Sequence, residues 1–152
     1  MGYYLRYICT TTTTLSLKQI ENALKQQDST FKITPDPIDP LIGDLHQGAY
    51  HCGEIQLNVP DDDIFEEDIE DLRELVEDSG QSGEQQVMDT LDAAKLIVAV
   101  NALWQGGDPS VTLDRLEPLW DWLFANHPGM LQADNEGFYN ASGLVFKTNL
   151  KI

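Results

Sequence analysis

The run Leu96-Ile97-Val98-Ala99-Val100 is the part of this 152-residue chain on which the fold turns. Around it, Val87, Leu91, Ala94, Val98 and Leu103 recur at helical spacing, and Ala and Leu are strong helix formers. The pattern predicts a mostly buried helix from about Glu84 to Gln105, stopped by Gly106-Gly107. Taken alone, the five-residue run also satisfies a buried strand, and periodicity does not separate the two.

Upstream, Phe65, Ile69, Leu72 and Val76 form the apolar stripe of another helix, with Asp63 as cap and Glu66 three residues on. The flexible stretch from Asp78 to Gly83 ends it. Residues 49 to 59 read as a strand, with Ile55, Leu57 and Val59 on one face and Pro60 at its close. Pro35, Pro37 and Pro40 predict a surface loop over residues 35 to 48. Before it, Thr30 to Thr34 alternates as a short strand. A first helix starts at Ser16, where Gln19 completes a capping box and Leu15 with Ile20 forms a hydrophobic staple. The β-formers from Tyr3 to Thr10 make an N-terminal strand, and the five threonines Thr10 to Thr14 lead out of it.

Downstream, Leu116, Leu119, Trp120 and Leu123 predict a last helix, which Pro118 is expected to split. His127-Pro128-Gly129 ends it. Met130 to Ala133 and Gly137 to Thr148 read as terminal strands, with a tight turn at Asn140-Ala141-Ser142-Gly143. The order implies a single α+β domain over residues 1–152. Its expected plan is a ferredoxin-like (split β-α-β) core extended by extra helices and a C-terminal β-hairpin.

Charge limits the function. There are 26 Asp+Glu against 9 Lys+Arg, a formal net charge of −17. Such a field repels phosphate backbones and anionic membranes, so neither nucleic acid nor membrane is an expected partner. Much of it is concentrated between Asp61 and Asp78. That run fails as a calcium loop, because Glu66 stands where the sixth-position Gly belongs and Leu72 where the twelfth-position Glu belongs. Its carboxylates at the helix start suit the macrodipole, and the plain reading is a solvated helix face. Without a signal peptide or a long apolar run, the expected compartment is the cytoplasm.

No catalytic, cofactor or metal site is expected. His51 and Cys52 are adjacent and point to opposite faces of a strand, so with His46 they make a poor zinc set. Cys9 reads as a small core residue. No nucleophile elbow, dinucleotide turn or Walker loop is present. Trp104, Trp120 and Trp122 cluster in sequence; Trp120 fits the core stripe, whereas Trp122 points elsewhere, onto the terminal hairpin or into a contact patch. Trp122, Tyr139, Asp134 and Glu136 are therefore the candidate interaction surface, either gathered by one concave pocket or spread over a convex, solvated face. The function expected is a non-catalytic interaction or regulatory protein, with a protein partner that includes a homodimer among its forms. The alternatives are a small hydrolase or divalent-cation enzyme using acidic residues, and an acidic mimic of nucleic acid.

Overall fold

The computed structural model describes residues 3–12, 14–103 and 108–148. Thr13, Trp104 and the Gly106-Gly107 stop lie outside the described residues. The elements run β1 (Tyr3–Cys9), α1 (Leu17–Gln27), β2 (Phe31–Pro35), β3 (Ile42–Gln47), β4 (Tyr50–Asn58), α2 (Asp63–Val76), α3 (Glu84–Asp92), β5 (Leu96–Ala102), α4 (Pro109–Asn126), β6 (Gly129–Ala133), β7 (Gly137–Asn140) and β8 (Gly143–Lys147). The strands form one open antiparallel sheet in the order β2-β3-β4-β5-β1-β6-β7-β8. The chain is thus an α+β protein. Among the described residues no helix is long and apolar enough to cross a membrane.

Three expectations change. Leu96 to Ala102 is a strand, so the helix begun at Glu84 stops at Asp92. The reason is burial on both faces. Leu96, Val98, Val100 and Ala102 enter one core, while Ile97 and Ala99 enter the other. Such a strand shows no polar alternation, and its β-branched residues join Val87 and Leu91 at a misleading helical spacing. The loop expected at 35 to 48 contains β3, which pairs with both β2 and β4; the prolines bend only its approach. The last helix is continuous through Pro118. Packing of Leu116, Leu119 and Trp120 outweighs the loss of one backbone hydrogen bond.

Other local signals hold. Ser16 and Gln19 form the reciprocal capping box. The second helix is capped one residue earlier than expected, by Asp62. Helices α1 and α4 pack on one face of the sheet, and α2 and α3 on the other. Along β1 the side chains alternate between these layers, Leu5, Tyr7 and Cys9 to the first and Ile8 to the second.

Side chains occupy part of the backbone on each sheet edge. On β2, residues 31, 33 and 35 share the outward direction. The Phe31 N–H donates to the Asp28 carbonyl, the Ile33 N–H donates to Glu21 Oε2 at 2.8 Å, and Pro35 has no N–H. On β8, the Gln81 amide donates to the Lys147 carbonyl and accepts from its N–H. Glu21 itself is only 6% exposed and is braced by Lys18 at 3.1 Å. Burial pushes its carboxyl up, but the Ile33 N–H and the two lysines pull it below the usual value.

Glu21→Ala orphans a buried backbone donor and is expected to cost about 1–3 kcal/mol in urea unfolding at neutral pH. Because the folded-state pKa is depressed, this contribution is full above the unfolded value of about 4.3 and is lost as the pH falls through the folded one. The wild-type advantage should therefore shrink in acid; a gap that is constant with pH contradicts the assignment.

Candidate functional site

A groove of about 430 Å³ opens between α4 and the β6–β7–β8 end of the sheet. Its floor is apolar, made by Leu5 from β1, Leu131 and Ala133 from β6, and Trp120 and Phe124 from α4. The same residues that fix the core thus continue into an open surface. Phe124 is held edge-on to the buried Tyr7 ring at 5.0 Å. Along the α4 side stand Asp114, Glu117 and Asp121, all exposed, at successive turns of the helix.

Glu136 and Tyr139 form the opposite wall. The turn Asp134-Asn135-Glu136-Gly137 joins β6 to β7, with Asn135 left-handed at φ 62°. Gly137 is required there, since its φ is 144° and a Cβ would collide with the Phe146 carbonyl. This geometry turns Glu136 towards two tyrosines. Tyr3 Oη donates to Glu136 Oε2 at 2.7 Å, and Tyr139 Oη donates to Oε1 at 2.5 Å. Burial, reinforced by the Glu136 hydrogen bond and charge, pushes both tyrosine hydroxyls up, Tyr139 to about 12. The carboxylate is thus held by two hydroxyls that stay protonated. Among the described residues, no ion pair engages Asp114, Glu117, Asp121 or Glu136.

Of the four candidate residues, Glu136 and Tyr139 line the same groove, and Asp134 and Trp122 lie elsewhere. Asp134 faces the other side of the sheet. It accepts from Arg6 Nη1 at 3.1 Å, from the Gln132 amide and from the Tyr4 N–H. Arg6 also reaches Asp68 Oδ1 at 3.7 Å, a carboxyl that burial pushes up despite the opposing pull of Arg6 and Asn58. This network ties α2 to the sheet. Trp122 is half-buried and rests against α1 rather than the hairpin, beside Gln19, Asn22, Ala23 and Gln26. Its ring meets His127 edge-on at 5.1 Å, and His127 Nδ1 lies 2.6 Å from Thr12 Oγ1. Two residues apart on one helix, Trp120 and Trp122 serve different surfaces.

The groove residues missed in the sequence are Asp114, Glu117 and Asp121. Their spacing, one carboxylate per turn beside the Leu116–Leu123 stripe, was the available signal. His46 and His51 stack at 4.4 Å beside Asp44, while Cys52 is buried on the opposite side. Among the described residues no cluster of three His, Cys, Asp or Glu side chains has a geometry that holds a metal ion. Comparison of the chain with family models, with curated proteins and with solved structures finds no match.

The raised Tyr139 pKa contributes stability that is full below its unfolded value of about 10 and is lost as the pH rises towards the folded value. Glu136→Gln removes the charge and weakens the acceptor, so ultraviolet titration should show Tyr139 ionising at lower pH than the value of about 12 in the wild type. An unchanged titration contradicts the Glu136 contact.

Proposed function

We propose that this chain is a non-catalytic interaction protein that takes a positively charged partner into the groove between α4 and the β7–β8 hairpin. The observation that carries the reading is an apolar floor ringed by four carboxylates, none in an ion pair with a described residue. Apolar burial supplies affinity there, and the carboxylates supply orientation and a faster encounter with a basic surface. Sheet edges that are partly occupied by Glu21 and Gln81 favour this route over strand addition. A reducing, cytoplasmic setting is part of the proposal and fits two buried free thiols, Cys9 and Cys52.

A hydrolase reading draws support from the union of Glu136 with three other acids in one cleft. It is the weaker one. Both Glu136 oxygens already accept from tyrosines, and the α4 carboxylates are exposed, whereas acid–base catalysis relies on a carboxyl tuned by burial.

We also read the central strands as a ferredoxin-like core. β1 and β4 run parallel with β5 between them, β6 flanks β1, and α1 and α4 cover one face. This order supports a split β-α-β plan, with the α2–α3 pair, the β2–β3 hairpin and the β7–β8 hairpin as additions. Such a fold hosts unrelated functions and lends no weight to the functional reading.

A photo-crosslinking residue at Ser142, on the groove, should trap a basic partner in cells, and the same residue at the exposed Ile38 should not. Adding Asp114→Lys and Asp121→Lys should abolish the Ser142 adduct. Equal adducts at both positions, or none at Ser142, reject the proposal.

A further inference from the structure

We propose that the groove is built for an arginine side chain on a linear segment of the partner, with Glu136 as its anchor. This inference rests on the reading of the groove as a docking site for a basic partner and names what that partner presents.

The Glu136 carboxylate is held from two sides. Each of its oxygens accepts one tyrosine hydroxyl, from Tyr3 on β1 and from Tyr139 on β7. Two contacts on separate oxygens fix the plane of the group as well as its position. Each oxygen keeps further acceptor capacity, since an ionised carboxylate has about four lone-pair sites. A planar acceptor fixed in advance suits a planar donor, because the ordering cost is already met. Guanidinium has that shape and forms paired N–H bonds to carboxylates, whereas an ammonium is a point charge that gains little from the fixed plane.

The surroundings fit the rest of such a side chain. An arginine stem is apolar, and Leu131, Ala133 and Trp120 supply an apolar surface beside the anchor. The Tyr139 ring also lines the groove and offers an aromatic face of the kind guanidinium stacks on. The protein makes this contact within itself, with the Arg115 guanidinium 4.4 Å from the Tyr50 ring centre.

The α4 carboxylates argue for a linear segment. Asp114, Glu117 and Asp121 stand roughly 5–6 Å apart, one per helical turn. An extended chain places alternate side chains on one side at roughly 6.6 Å. Basic residues at alternate positions therefore meet successive carboxylates while one arginine turns down to Glu136. These outer contacts are exposed and salt-screened, so they steer and align, and discrimination falls to Glu136.

The test uses the full chain and three dye-labelled peptides that differ only at three alternate positions, carrying arginine, lysine or the neutral arginine isostere citrulline. Binding is followed by fluorescence anisotropy over a range of salt, with thermal melts to confirm that each variant is folded. The arginine peptide is expected to bind at least about tenfold tighter than the lysine peptide, and the citrulline peptide not measurably. Glu136→Gln should erase the arginine preference. Tyr139→Phe, which frees one oxygen from its restraint and keeps the charge, should narrow it. Asn at 114, 117 and 121 together should weaken both basic peptides alike and flatten their salt dependence. Equal binding of arginine and lysine peptides, with loss of both in the triple variant, overturns the arginine inference and leaves the basic docking site standing. A preference that survives in Glu136→Gln, or is untouched in Tyr139→Phe, overturns Glu136 as the anchor. If neither basic peptide binds, or the triple variant binds as the wild type does, the docking site falls as well.

Discussion

The pairing of β1 with β5, in register from Tyr3 opposite Ala102 to Cys9 opposite Leu96, is the contact on which the remaining architecture depends. Both strands lie inside the sheet, and helices cover both faces over β5 and the second half of β1. Where the pair is buried, each backbone group needs its partner in the ladder. Their side chains divide between two cores, and a slip of one residue would exchange them. With this pair fixed, β4 adds beside β5 and β6 beside β1, and the helices that join them fall on the faces where the apolar residues point.

That dependence explains what was legible in the sequence. Elements with one wet face were readable from local chemistry: Ser16 and Gln19 announced α1, the Phe65–Val76 stripe announced α2, and Asn140 to Gly143 announced the last turn. The central strand β5 was not, because burial on both sides removes the alternation that marks a strand. β3 was obscured for a different reason. Its residues Gly43, Asp44, His46 and Gln47 have little strand propensity, and pairing on both sides supplies what the local sequence lacks. The site was half legible. Tyr139 and Glu136 were singled out, but Asp134 and Trp122 went with them because nearness in sequence does not say which side of a sheet or helix a residue takes. Asp134 and Glu136 flank a left-handed turn that sends them to opposite faces.

The electrostatics sharpen once the few cations are located. Arg6 binds Asp68 and Asp134 across the α2–sheet junction, Arg73 joins α2 to Asp92 at 2.6 Å, and Lys18 and Lys25 attend Glu21. Arg115 bonds Gln47 at 2.6 Å and stacks over Tyr50. These cations act at joints of the fold. The acidic excess is therefore left to surfaces, and in the groove it stands beside apolar side chains. On α2 the carboxylates other than Asp68 and the capping Asp62 face water over an apolar stripe that is already buried. Beside them Leu72 and Leu75 line a smaller cavity that also holds Arg6, so the carboxylates there share it with a cation.

The groove follows from the way the sheet outgrows its helices. α4 reaches β6, but the chain then adds β7 and β8 beyond it, and α3 supports that extension from the opposite face. Phe138 and Phe146 turn towards α3 and are buried, which leaves Tyr139 on the α4 side at the corner. The hairpin thus takes its stability from one layer while presenting its other face as a wall. Glu21 engages Ile33 on β2 and Gln81 engages Lys147 on β8, so each outer strand has fewer free backbone groups to offer a partner. The recognition we propose falls to side chains, and the corner between α4 and the hairpin is where apolar, aromatic and anionic side chains meet.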